Sequence, residues 1–271
     1  MREPRGSENP AAENPGAETP AAETPLHLVV LAGGQSTRAR RSDTTAPKQF
    51  RDAGRGMLFL HAIRELIQAP GVRLVVVVVP EPWRPTAERG LAGADLGVPW
   101  TLATAGAHRT ASAWSALRAL AHMPEDARPR EHDLVAIHDA ARPFASRHLL
   151  ARLARVASRR QAAIPAVPVA DTIVQIAPGE TGSLEERPVA SYLAREELAA
   201  VQTPQVARWA DLHAAHAWAA AEGRSFTDDG GLLAVRGVPP VVVMGEAGNW
   251  KITTEQDWQR AADQLRRRSE V

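Results

Sequence analysis

The sequence predicts an α/β fold, a mainly parallel, twisted sheet flanked by helices, and three observations predict it. Apolar runs rich in β-branched residues recur along the chain, as strands buried on both faces require. Segments with helical spacing separate them, which implies parallel strands joined by right-handed crossovers. One stretch rich in Pro, Gly and charge, 168–205, breaks the alternation and reads as an arm leaving the sheet.

Taken in order, residues 1–25 carry no predicted element. Pro10, Pro15, Pro20 and Pro25 recur every five residues, and large apolar side chains are almost absent. Such a stretch has little burial to offset its ordering entropy, so a disordered tail is expected. LHLVVLA (26–32) is the first strand and ends in a glycine loop. MLFLHAIRELIQA (57–69) has helical spacing, and VRLVVVVV (72–79) is a buried strand. RTASAWSALRALA (109–121) reads as a helix, DLVAIH (133–138) as a strand and RHLLARLARVA (147–157) as a helix. QAAIPAV (161–167) is a short strand, ARWADLHAAHAWAAAE (207–222) a helix and VVVM (241–244) a late strand. A last helix starts near Thr254, whose hydroxyl can cap it with Asp257 three residues on. One domain is therefore expected over 26–271, with 168–205 as its excursion.

At 271 residues and a formal net charge of +1, the chain can bury a large core. The charge balance argues against bulk attraction to nucleic acid or an anionic membrane. With no cysteine, disulfides, thiolate metal sites and cysteine nucleophiles are excluded. The longest apolar run, Leu74 to Val79, is too short to span a bilayer, and the acidic N-terminus does not read as a secretory signal. A soluble, cytoplasmic protein is expected. Of 32 basic residues, only Lys48 and Lys251 are lysines. An ammonium and a guanidinium are not equivalent in a tight site, so a lysine kept in so Arg-rich a chain draws suspicion.

The chemistry-bearing segments sit at strand ends. The first strand runs into Ala32-Gly33-Gly34-Gln35-Ser36-Thr37-Arg38, at the carboxyl edge where open α/β sheets bind ligands. It is neither a dinucleotide fingerprint nor a P-loop, yet its glycines let backbone N–H groups approach a phosphate, and Arg38 can meet its charge. Taken alone, an ordinary strand-to-helix turn explains it equally well. Ala46-Pro47-Lys48-Gln49-Phe50 places a lysine beside the same loop. His138-Asp139-Ala140-Ala141-Arg142-Pro143 ends another strand, where Asp139 can hold a Mg²⁺ bridging phosphates or merely cap a turn.

These segments resemble a known family. LAGGxSxR…PKQF, AGAHRTAS, HDAARP, PVADT, VQTPQ, TDD and NWKIT occur in one order across residues 28–258 and are similar to the 2-C-methyl-D-erythritol 4-phosphate cytidylyltransferases. LAGG alone is shared by many nucleotidyltransferases, whereas HDAARP, QTPQ and N-x-K-I-T together are far more specific. The resemblance implies a single Rossmann-like domain with a protruding β-arm. It also implies transfer of CMP from CTP to 2-C-methyl-D-erythritol 4-phosphate with release of pyrophosphate. By the same resemblance, Arg38, Lys48, Arg195 and Lys251 form the catalytic cationic set. Ala32, Gly33, Gly34, Gly106, Ala107, Ser112, Asp139 and Ala140 bind the nucleotide, and Asp139 also holds Mg²⁺. Arg142, Thr172, Thr203 and Thr227 contact the substrate. The implied assembly is a homodimer in which the 168–205 arm reaches over the partner subunit.

Three departures stand out. Ser36 replaces a usual glycine, Gly248 stands where many members carry an acid, and the Arg-to-Lys segment is longer than usual. The last makes Arg41 the alternative to Arg38. Two rival readings accompany the leading one: a ribitol-5-phosphate cytidylyltransferase, and an inactive nucleotide-binding scaffold, against which the complete cationic set speaks. Elsewhere, His213 and His216 are assigned to a solvated helix face, and Asp228-Asp229 to a helix cap. The seven scattered Trp show no stacking pattern for nucleic acid, and Arg266–Arg268 reads as a helix-end charge run.

Overall fold

The computed structural model describes residues 24–34, 46–178 and 186–269. Most of the predicted tail, together with Ser36, Arg38 and Arg41, lies outside the described residues.

The strands are β1 (Leu26–Leu31), β2 (Val72–Val79), β3 (Trp100–Thr104), β4 (Leu134–Asp139), β5 (Ala162–Pro168), β6 (Val174–Ile176), β7 (Val189–Tyr192), β8 (Ala199–Val201), β9 (Gln205–Arg208) and β10 (Val241–Met244). Between them run α1 (Leu58–Leu66), α2 (Arg84–Ala92), α3 (Arg109–Ala121), α4 (Arg147–Arg160), α5 (Trp209–Ala221), α6 (Asp229–Val235) and α7 (Glu255–Ser269). The main sheet has the order β10-β5-β9-β4-β1-β2-β3, with β8 beside β5. Its β1–β2, β2–β3, β1–β4 and β5–β10 pairings are parallel. In-register pairing of Leu31 with Asp139 aligns the ends of β1 and β4, which puts the glycine loop beside the acidic turn.

Runs such as Leu74–Val79 are buried from end to end because helices cover both sides of the sheet. One side packs α1, α2 and α4 against Leu28, Val30, Val75 and Val77. The other packs α3, α5 and α6 against Val29, Val76, Val78 and Ile137. A third cluster joins α7 to the segment after Lys48, through Ala53, Leu58, Ile252, Trp258 and Leu265.

Two expectations shift. The segment assigned to a helix from 207 opens instead with β9, which lies antiparallel between β4 and β5; the helix begins at Trp209. The sheet is accordingly mixed at that point. The 168–205 excursion contains the two-stranded β6–β7 hairpin and returns through β8 to pair with β5. No helix among the described residues is long and apolar enough to cross a membrane.

Candidate active site

The carboxyl ends of β1 and β4 border a pocket of about 370 Å³ lined by Gly33, Gly34, Lys48, Gly106, Ala107, Arg109, Ser112, Asp139, Ala140 and Lys251, among others. Its floor depends on glycine. A Cβ on Gly33 would come within 2.5 Å of the Ala105 Cβ, and one on Gly106 within 2.5 Å of the Ala111 Cβ. Buried Gln49 fixes the loop by donating from Nε2 to the carbonyls of Ala32 and Gly34, both at 2.7 Å. The Ala32 N–H is spent on the Val78 carbonyl, which leaves Gly33 and Gly34 as the loop residues facing the pocket. Across it, the Ser112 hydroxyl in the first turn of α3 accepts from the Gly106 N–H at 3.1 Å, and His108 caps that helix through Nδ1, which accepts from the Ala111 N–H at 3.2 Å.

Asp139 is the carboxylate of this pocket. Lys251 Nζ donates to its Oδ2 at 2.7 Å, and Arg109 Nε approaches its Oδ1 at 3.4 Å. Burial alone would raise the carboxyl pKa, but the Arg109 and Lys251 charges outweigh it and hold Asp139 well below the usual range. The backbone N–H of Asp139 donates to the Thr203 hydroxyl at 3.0 Å, and that hydroxyl also meets His138 Nδ1 at 3.1 Å. His138 Nε2 faces the Arg142 carbonyl at 3.0 Å, which assigns the ring proton to Nε2. Burial lowers the His138 pKa to about 4, so the ring is neutral near pH 7.

A line of buried charge continues behind Asp139. Arg109 Nη2 donates to Asp229 Oδ2 at 2.7 Å, and Asp229 Oδ1 accepts from His216 Nε2 at 2.9 Å. Burial opposes ionisation of Asp229, yet the Arg109 charge prevails and its pKa falls to about 2. Gln205, the last residue of VQTPQ, accepts from the N–H groups of Asp229 and Gly230 at the start of α6. This corrects the solvated-face assignment: His216 is 1% exposed because α5 turns it toward Asp229. His213 lies between the Trp114 and Trp209 rings, 5.1 and 4.7 Å away. Asp228 does cap α6, accepting from the Gly231 N–H at 2.9 Å.

Lys48 sits in a short 3-10 turn, Lys48–Phe50, and donates from Nζ to the Ile252 carbonyl. The two lysines therefore enter the pocket from segments some two hundred residues apart. The other implied residues lie elsewhere. Arg142 donates to the carbonyls of Asn249 (2.8 Å) and Val201 (3.3 Å). Thr203 supports Asp139 from beneath rather than lining the pocket. Thr172 and Thr227 are exposed outside it. Arg195 is exposed on the arm, donating to the Ala170 carbonyl at 2.7 Å and pairing with Glu196.

The sequence profile of the 2-C-methyl-D-erythritol 4-phosphate cytidylyltransferases matches residues 26–267. A bifunctional IspD/IspF enzyme of Solidesulfovibrio magneticus is 38% identical over 86% of this chain, which spans only 55% of that relative. The cytidylyltransferase of Gloeobacter violaceus is 36% identical, covering 86% of this chain and 92% of its own. The crystal structure of the Thermus thermophilus 2-C-methyl-D-erythritol 4-phosphate cytidylyltransferase superposes with a TM-score of 0.66 at 30% identity, over 90% of this chain and 99% of the other.

Proposed function

The chain belongs to the 2-C-methyl-D-erythritol 4-phosphate cytidylyltransferase family, and from that premise we propose that it transfers CMP from CTP to 2-C-methyl-D-erythritol 4-phosphate. A phosphate oxygen of the substrate attacks the α-phosphorus of CTP. The bond from that phosphorus to the oxygen bridging the β-phosphorus breaks, and pyrophosphate leaves. The products are pyrophosphate and 4-CDP-2-C-methyl-D-erythritol, a step of non-mevalonate isoprenoid biosynthesis.

The observation that carries this reading is the convergence of Lys48, Lys251 and Asp139 with Gly33, Gly34 and Gly106 in one pocket. Negative charge gathers at the α-phosphate as the new bond forms, and fixed ammonium groups lower that barrier without reorganising. Lys48 takes this role with Arg38. Gly106, Ala107 and Ser112 receive the cytosine, and Ala140 lies beside the ribose.

The donor set suits Mg²⁺. Among the described residues no three His, Cys, Asp or Glu side chains gather around a metal position, and Mg²⁺ commonly binds through one or two carboxylates plus substrate phosphates. Asp139 offers that carboxylate, and each of its oxygens keeps a lone pair beyond the contacts to Lys251 and Arg109. When bound with CTP, the ion supplies charge neutralisation across the triphosphate.

The arm residues belong to a second subunit's site in this reading. Arg195 and Thr172 lie outside their own chain's pocket, and the arm exposes Val189, Tyr192 and Leu193. A homodimer through 168–205 covers these side chains and delivers Arg195 and Thr172 to the partner's polyol phosphate. A CTP substrate points to the cytoplasm.

Pyrophosphate release with CTP and Mg²⁺ tests the assignment, with methylerythritol phosphate and ribitol 5-phosphate assayed side by side. Turnover is expected with the methylerythritol substrate. Preference for ribitol phosphate would overturn the substrate, and silence with both would leave a nucleotide-binding scaffold.

A further inference from the structure

Lys48 and Lys251 must keep a fixed spacing if both act on one nucleotide, and Lys48 itself reaches the Ile252 carbonyl beside Lys251. A second, side-chain tie lies one step behind each. Arg51 follows the Lys48 turn, and its backbone N–H donates to the Lys48 carbonyl at 3.2 Å. Glu255 opens α7, four residues after Lys251. Arg51 donates from Nη1 and Nη2 to the two Glu255 oxygens at 2.8 and 2.9 Å, a bidentate pair whose side chains are only 13% and 23% exposed. The same guanidinium lies 4.2 Å over the ring of buried Trp258, one turn further along α7. Fork geometry and ring stacking together restrict orientation as well as distance, which a lysine at this position would not do.

We propose that Arg51 and Glu255 are positioning residues that set the Lys48–Lys251 spacing by locking α7 to the Lys48 turn. The inference rests on the catalytic role given to Lys48 above. Neither side chain lines the pocket, so both act only through the lysines they anchor. A misplacement of about 1 Å can cost roughly 10²-fold in rate, so losing one anchor among several contacts is expected to lower kcat by about tenfold. KM for CTP should shift by much less, because the glycine loop and the Ser112 turn remain in place.

The test is Arg51→Ala measured in two backgrounds, wild type and Lys48→Ala, with near-UV circular dichroism to confirm equal folded fractions. If Arg51 acts through Lys48, its removal lowers kcat about tenfold in the wild type and scarcely at all once Lys48 is gone. An equal fold-loss in both backgrounds, or no loss in the wild type, overturns the proposal. Arg51→Lys keeps the charge without the fork and should resemble Arg51→Ala; full activity in it also overturns the positioning role. Wild-type activity in Lys48→Ala itself would instead remove the premise, a separately visible outcome.

Discussion

Lys48 and Lys251 drew attention through scarcity, and each lines the pocket beside Asp139. Arg109, which approaches the same carboxylate, drew none, because one Arg among thirty carries no compositional signal even inside AGAHRTAS. Gln49 and Gln205 stand within motifs, but amides that organise loop backbone and a helix cap leave no spacing pattern to detect. If Lys48 stabilises charge mainly as the transition state forms, Lys48→Ala should lower turnover by roughly 10²–10³ with a smaller change in CTP affinity. Lys48→Arg should be nearly as poor, because a planar fork cannot replace an ammonium that also reaches the Ile252 carbonyl. Near-normal kcat in the arginine variant would contradict the role. Asp139→Asn should steeply raise the Mg²⁺ concentration needed for half-maximal activity, since it removes an anionic ligand at constant volume. A Mg²⁺ titration unchanged from wild type, with melting temperature as a folding control, would reduce Asp139 to a structural turn.

Elements with strong periodicity were legible, and β2, α3 and β10 have the bounds the sequence predicts. Thr254 and Asp257 cap α7 as expected: the Asp257 N–H donates to the Thr254 hydroxyl, and Asp257 Oδ2 accepts from the Thr254 N–H. The elements that went unread are short or weakly patterned. β3 and β9 are five and four residues long, and α2 begins with Arg-Pro and buries only Ala87 and Leu91. α6 opens on Asp-Gly-Gly, a composition that favours a turn until Gln205 and Asp228 satisfy its first N–H groups. Asp229 then ties α6 to α3 through Arg109 and to α5 through His216. Replacing one partner of so buried a pair is expected to cost about 3–5 kcal/mol near pH 7. The pH dependence follows from a folded pKa of about 2 against 3.8 unfolded. Above that window the Asp229 contribution is complete, and it is lost as pH falls toward 2, because the unfolded chain binds the proton first. Urea midpoints of wild type and Asp229→Asn should therefore differ widely at pH 7 and draw closer between pH 4 and 2. A gap independent of pH would mean that the aspartate charge is not what holds these helices.

At the scale of the molecule, the sheet edge and the arm pose a problem of reach. The pocket draws its lysines and carboxylate from one chain, while Arg195 and Thr172 leave with the arm and lie outside that pocket. Exposed apolar residues on the arm and on the adjoining strands, among them Tyr192 at 73% and Met244 at 64%, leave a surface that a second copy would cover. An arm that serves its own sheet edge and an arm that serves a partner's make different predictions for mixed dimers. Let Arg195→Ala chains exchange subunits with Lys48→Ala chains at equal concentration. Random pairing makes about half the dimers hybrid, and a closed two-fold dimer has two equivalent sites. If arms cross, one site of each hybrid combines an intact Lys48 with the partner's intact Arg195, and the other carries both defects. About a quarter of wild-type activity should then return, because a quarter of all sites are whole. If arms stay home, every site keeps one defect and mixing restores nothing. Activity no higher than that of the parents, in dimers shown to have exchanged, would return Arg195 to its own chain and remove the reason for the arm to cross.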